Sequence, residues 1–330
     1  MIKLFEPHVG IEEVKSAKIV LQSKFWASGT GTGNVIKFEN KFRKYIKSKN
    51  CVAVNSGTAA LNLALSECDI KNKEVLLPSL TFVATANAII MNGGKPVFVD
   101  IDPNTLNIDT EKIENFISKK TKVILPVHFG GLPCDLDKIS SLAKKYNLKI
   151  IEDAAHAAGA SYKNKKIGSH SMAVCFSFHP IKNLAMPTGG LISINDKSHE
   201  KIWKTLSARR WCGITDRKET SYDVKKIGNN YYMNELSAAI GLVQLKKLDK
   251  LNSIRKKIAK RYCEEIKLDT KMQYDKNCSY HLYWVLVKNR NEFRKKLLSH
   301  QIETGTHYKP VHTLSFYKSK LKLKITENAG

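Results

Sequence analysis

The chain has 330 residues, of which 42% are hydrophobic and 26% charged, with a formal net charge of +25 and a mean hydropathy of −0.30. This length supports a large core and two domains. No apolar run reaches the roughly 20 residues that a membrane helix needs, and the N-terminal MIKLFEPHVGIEEVKSAK has no signal-peptide apolar stretch. A cytoplasmic protein without membrane contact is expected. The basic excess is scattered along the chain (Lys47, Lys119, Lys225, Lys318), with no block of five like charges. That pattern describes a solvated surface rather than a nucleic-acid footprint, although a positive field can recruit an anionic substrate. Seven cysteines, an odd number without C-x-x-C spacing, argue against a disulfide framework or a structural zinc site. No metal is expected.

In chain order, β-rich runs fall at 51–55, 74–78, 95–101, 122–129, 148–154, 173–178 and 189–194, several of them apolar on both faces. Helix patterns lie between them. Thr58 to Cys68 is rich in Ala and Leu. Asp109 opens a segment carrying Ile113, Phe116 and Ile117, and Asp135 can cap a helix carrying Ile139, Leu142 and Ala143. This alternation predicts an α/β domain built on a mostly parallel sheet, with ligands at the carboxyl ends of the strands. From about Tyr232 the pattern changes. A long helix carries Leu236, Ala239, Ile240 and Val243, followed by a strand at 281–287, a helix at 292–298 and an aromatic loop at 306–312. The expected division is a large domain at 1–245 and a smaller α+β domain at 246–330, which looks incomplete because LKITENAG offers no closing element.

Four segments carry candidate chemistry. In NSGTAAL, Asn55 to Leu61, a strand meets a helix through small residues. The free N–H groups of a helix N-terminus suit a phosphate, with Gly57 allowing close approach and Thr58 adding a hydroxyl. An ordinary capped turn fits this motif equally well. In IIEDAAHAAGA, Ile150 to Ala160, an acid stands at the end of an apolar strand. Such a carboxylate is costly unless it meets a cation, and a protonated pyridine nitrogen is one. Asp153 would then hold that nitrogen, Ala155 would lie under a planar ring, and His156 would reach a ring hydroxyl. A helix-capping acid and a core histidine are the plainer alternative. CFSFHPIKNLAMPTGGLI, Cys175 to Ile192, places Ser177 and Lys182 in an irregular link between two apolar strands. A lysine among apolar neighbours can act as a nucleophilic amine, although most lysines are surface charges. In LPSLTFVATANAI, Phe82 follows a strand and is either a stacking face or a core residue.

Together these segments resemble the DegT/DnrJ/EryC1/StrS family of sugar aminotransferases. FENKF (38–42), PVFVDID (96–102), PVHFGG (126–131), SFHPIKN (177–183), GNNYYMNELSAAIGLVQLKKLD (228–249) and HYKPVH (307–312) extend the resemblance over nearly the whole chain. It implies the aspartate-aminotransferase fold and a pyridoxal 5'-phosphate (PLP) cofactor. Lys182 matches the Schiff-base lysine that also shuttles protons, Asp153 the partner of the pyridine nitrogen, and His156 the contact to the ring oxygen. Phe82 and Ala155 match the residues that sandwich the ring. Gly57, Thr58 and Ser177 match the phosphate ligands. Asn230 matches an asparagine that reaches the phosphate of a neighbouring subunit, which implies a homodimer with shared sites. His307 and Tyr308 match the substrate-side loop. The implied reaction moves an amino group from an amino acid, typically glutamate, to a keto group on a nucleotide-linked sugar. Dehydrating relatives carry histidine in place of the lysine, so Lys182 favours transfer over dehydration; a non-transferring PLP-binding regulator is the other alternative. The chain departs from the family at Met186-Pro-Thr-Gly-Gly, where T-G-E-G-G is common, at Tyr232 for arginine and at Cys212 for histidine.

Overall fold

A computed structural model describes residues 1–319 and 321–330. Seven strands form the central sheet: β1 (Asn50–Val54), β2 (Glu74–Pro78), β3 (Lys95–Val99), β4 (Thr121–Ile124), β5 (Lys149–Asp153), β6 (Ala173–Ser177) and β7 (Gly190–Ile194). Their order is β1-β7-β6-β5-β4-β2-β3. Only β7 runs against the others, so the mostly parallel α/β sheet read from the sequence is present. Helices α2 (Asn34–Ile46), α3 (Gly57–Leu65), α4 (Ala84–Met91), α5 (Leu136–Lys145) and α6 (His199–Arg209) pack on the sheet, while α7 (Glu235–Glu265) packs on α2 and on α1 (Ile11–Ser23).

Alternation along the strands divides the core. Ala53, Val174 and Phe176 pack with Phe38, Phe42 and Phe178 of one cluster. Val52, Val54, Ala173 and Cys175 pack with Leu61, Leu63 and Leu65 of α3 in another. A sheet covered on both faces needs side chains of both parities to be apolar, which is why its strands read as continuous hydrophobic runs. The caps follow local chemistry. Asp135 Oδ1 accepts from Lys138 N at 3.3 Å and starts α5, while Asn234 Oδ1 accepts from Ser237 N at 2.7 Å and starts α7. After Asp109 the helix is only Thr110–Ile113, continued by a 3-10 turn at Glu114–Phe116.

One expectation needs correction. Residues 281–287 form no regular strand. They make one isolated bridge, Lys271 to Val285, flanked by Met272 N to Trp284 O at 2.9 Å and Leu286 N to Thr270 O at 2.9 Å. An extended run becomes a strand only where a partner of equal length lies beside it, and here only residues 270–272 do. The C-terminal LKITENAG carries a short helix, α9 (Lys324–Ala329), which follows α8 (Arg290–Ser299). The Asp100 carboxylate anchors its start, accepting from Thr326 N at 2.8 Å, Thr326 Oγ1 at 2.7 Å and Ile325 N at 3.3 Å. A carboxylate at the free N–H groups of a helix start is favourable.

Glu152 and His128 form a buried pair behind the site. His128 Nδ1 accepts from Cys134 N at 3.1 Å, so its proton lies on Nε2, which donates to Glu152 Oε2 at 2.8 Å. Glu152 Oε1 accepts from Ser171 N at 3.1 Å. Glu152→Ala would strand two buried donors, and a loss of about 3–5 kcal/mol of stability is expected, measurable by urea unfolding.

Candidate active site

The sheet brings the sequence-predicted segments to one edge. β1, β2, β5 and β6 run in parallel, so Gly57, Phe82, Asp153 and Ser177 all follow or stand at their carboxyl ends. β7 returns antiparallel, pairing Gly190 with Ser177, so the loop carrying Lys182 stays at the same end. Pro180, Pro187 and the paired glycines keep that loop irregular, as expected.

At the β1–α3 turn, Ser56 caps the helix by accepting Ala59 N at 3.1 Å. This leaves the amides of Gly57 and Thr58 without protein acceptors among the described residues. A Cβ on Gly57 would stand 2.7 Å from Ser177 Cβ, and one on Gly190 would stand 2.7 Å from Gly57 N. The turn, β6 and β7 therefore close on one another at glycine width. Gly57→Ala is expected to lower stability and cofactor affinity by about 1–3 kcal/mol, read by melting temperature and cofactor titration.

Asp153 is buried. Its Oδ2 accepts from Thr85 Oγ1 at 2.8 Å and its Oδ1 from Ala155 N at 3.1 Å; Thr85 in turn meets Thr81 Oγ1 at 2.9 Å. Burial raises its pKa above the ordinary carboxylate range against these hydrogen bonds and the charge of Lys182. No cationic group lies within ion-pair distance of it among the described residues. Lys182 is half-buried. Burial lowers its pKa to about 8, opposed by the Asp153 carboxylate. His156 is buried, with Nε2 3.1 Å from the Tyr308 hydroxyl and Nδ1 without a protein partner. Burial, Lys182 and His307 hold its pKa well below the usual imidazole value. The His307 pKa is also lowered, by burial and then by Lys182, while burial and Asp153 raise that of Tyr308. Phe82 is 57% exposed, its ring centroid 5.8 Å from that of Tyr308. Phe82 is therefore not a core residue. Ala155 is half-exposed at the same turn.

Asn230 stands apart within one chain. Its side chain is exposed, and its carbonyl accepts from Asn55 Nδ2 at 3.3 Å. Three neighbours escaped sequence reasoning. Thr85 bonds Asp153 from the first turn of α4, Phe129 meets the rings of His156 and Tyr308 edge-on at 6.1 and 6.3 Å, and His281 packs on His156. Thr85 carried no signal beyond its place near Phe82, and His281 lay in a run read as a strand.

The residues fit PLP. An unpaired buried carboxylate suits a pyridine nitrogen, two free amides and a serine at glycine width suit a phosphate, and a half-buried amine of lowered pKa suits an aldehyde. Known proteins agree. MJ1066 from Methanocaldococcus jannaschii is 38% identical over 97% of this chain and 86% of its own. SpsC from Bacillus subtilis, a spore coat polysaccharide biosynthesis protein, is 37% identical over 96% of this chain and 86% of its own. Among solved structures, PseC from Helicobacter pylori, an aminotransferase of pseudoaminic acid biosynthesis, superposes with a TM-score of 0.91 at 28% identity, covering 99% of this chain and 92% of its own. The family model of the DegT/DnrJ/EryC1/StrS aminotransferases matches residues 7–329, and with the fold and these relatives it establishes that the chain belongs to that family and is a PLP-dependent sugar aminotransferase.

Proposed function

We propose that the chain moves the amino group of glutamate to a keto group on a nucleotide-linked sugar, with Lys182 as the catalytic residue. The observation that carries this reading is the half-buried Lys182 amine, whose pKa burial lowers to about 8 against the opposing Asp153 carboxylate. More of such an amine is neutral near physiological pH than of an ordinary lysine. When bound, PLP supplies an electron sink that stabilises negative charge at the reacting carbon. Lys182 Nζ would hold the cofactor and, once free, carry the proton between substrate and cofactor carbons. Asp153, oriented by Thr85 and Ala155, would hold the pyridine nitrogen in its protonated form. His156, oriented by Tyr308, would contact the ring oxygen, with Phe82 and Ala155 on the ring faces. Gly57, Thr58 and Ser177 would bind the phosphate, and His307 with Tyr308 would line the substrate side. The rate of cofactor uptake by the cofactor-free protein is expected to rise with pH through about 8 as Lys182 loses its proton.

We place the division between large and small domains at residues 245 and 246, with α7 as the continuous link. A homodimer completes the reading. Asn230, whose side chain is exposed and makes no hydrogen bond among the described residues, would reach the partner's phosphate site. Ile11, Val14, Ile19 and Trp26 form exposed apolar surface around α1, which suits burial against a second copy. Light scattering of the PLP-loaded protein would report the expected doubled mass. No described helix is long and apolar enough to cross a membrane. The seven cysteines are unpaired, which fits the reducing cytoplasm.

The deciding experiment is an absorbance spectrum of the PLP-loaded protein before and after L-glutamate. A visible band that shifts on addition supports the glutamate reading, which is then completed with a panel of keto-sugar nucleotides. A band that ignores glutamate rules out that donor.

A further inference from the structure

His281 lies outside every motif singled out in the sequence, yet its backbone is tied to the site on two sides. Ser279 Oγ donates to the carbonyl of His156 at 2.8 Å, and Ser279 O accepts from Nδ2 of Asn183, the residue after Lys182, at 2.8 Å. Ser279 N and Leu282 N donate to Gly131 O and Gly130 O at 3.1 and 3.2 Å. The imidazole carried by this frame is 8% exposed, and neither of its nitrogens has a protein partner among the described residues. With no polar partner, the ring is held there by packing alone. Its contact is with another imidazole: the His281 and His156 ring centroids are 4.4 Å apart, with planes inclined by 38°.

We propose that His281 is a positioning residue that packs its ring on His156 and fixes the plane from which His156 meets the ring oxygen of bound PLP. This rests on reading Lys182 and His156 as cofactor residues. His156 Nε2 is also held by the Tyr308 hydroxyl, so the ring contact and the hydrogen bond together leave its ring little freedom. The charged and titratable groups around His281 are Lys182 from the β6–β7 loop, Arg255 from α7, His307 from the C-terminal loop and His156 itself. None is an acid. A second proton on either ring would therefore enter a dry corner already facing cations, and both imidazoles stay neutral.

The test compares PLP-loaded wild type, His281→Phe and His281→Ala by the pH midpoint of the visible cofactor band, by kcat and KM, and by melting temperature. Phenylalanine keeps a flat face without nitrogens, so a midpoint within about 0.3 pH units of wild type is expected. Alanine opens the corner to water, which lets His156 take a second proton. A cation beside the ring oxygen favours the deprotonated cofactor, so the midpoint should fall by about half a pH unit or more, with kcat down roughly tenfold and KM within about threefold. If the alanine variant does not fold, His281→Leu, which keeps bulk but no flat face, takes its place with the same expectation. The proposal is overturned if the alanine or leucine variant titrates like wild type. It is equally overturned if the phenylalanine variant shifts as far as they do, since the nitrogens rather than the stack would then matter. A wild-type protein without a visible band would overturn both this proposal and the reading of Lys182. A normal wild-type band that responds to glutamate, with unmoved variants, would overturn only this one.

Discussion

Replacing Lys182 with alanine is expected to lower turnover roughly 10⁴-fold or more while leaving the fold intact, because in the proposed reading one amine would serve both as the covalent anchor and as the proton carrier. The fold should survive because the Lys182 side chain makes no hydrogen bond or ion pair among the described residues, whereas the loop is held by its backbone. Lys182 N donates to His179 O at 2.8 Å and Met186 N to Phe178 O at 2.8 Å. Removing a half-buried amine also removes the desolvation cost seen in its lowered pKa. Two measurements check this. Borohydride reduction followed by mass spectrometry should fix the cofactor mass on wild type and not on the variant, and single-turnover absorbance with glutamate should be slowed in proportion. A variant that transaminated at the wild-type rate would sink the assignment of Lys182.

The second large effect is at Asp153. Asparagine keeps the size of the side chain and a contact for Thr85 but carries no charge. Losing one member of a buried charged pair costs about 2–5 kcal/mol, which corresponds to roughly a 30-fold to several-thousand-fold loss in cofactor-dependent rate. The cofactor-free protein should respond in the opposite sense. Asp153 has its folded pKa raised above the unfolded value of 3.8. Its stabilising contribution is therefore fully present below the unfolded pKa and is lost as pH rises through the folded one. Asp153→Asn should abolish that loss, so that the cofactor-free variant is at least as stable as wild type near neutrality, as thermal unfolding across pH 4 to 8 would show. A variant with unchanged activity would remove Asp153 from the cofactor site. A cofactor-free wild type whose stability rose over that range, with the variant flat, would contradict the burial cost ascribed to Asp153.

The two replacements separate the site into parts that local sequence specifies differently. The strands were readable because both faces of this sheet are covered, which makes runs such as CVAV and AVCFS continuously apolar. The turns after them were readable only in company, since Ser56-Gly57-Thr58 or Asp153 with its small neighbours fits an ordinary capped turn when taken alone. What local pattern could not supply was pairing. The run 281–287 is apolar and aromatic enough for a strand, yet nothing of equal length lies beside it, so it remains a single bridge. The terminal LKITENAG lacks its own capping residue, and its helix exists because Asp100, more than two hundred residues earlier, accepts its free N–H groups.

The sequence by itself determined the α/β order, the family and the residues proposed to meet PLP, because each of these is written in contiguous stretches whose chemistry is local. Only the tertiary structure decided which residues orient them. Thr85 on Asp153, Tyr308 and His281 on His156, and Asn183 on Ser279 join positions 68, 152, 125 and 96 residues apart in the chain. Contacts at such separations leave no periodicity to read. They also set the electrostatics, since the lowered pKa of Lys182 and the raised pKa of Asp153 both arise first from burial, and burial is created when distant segments close over the carboxyl edge of the sheet.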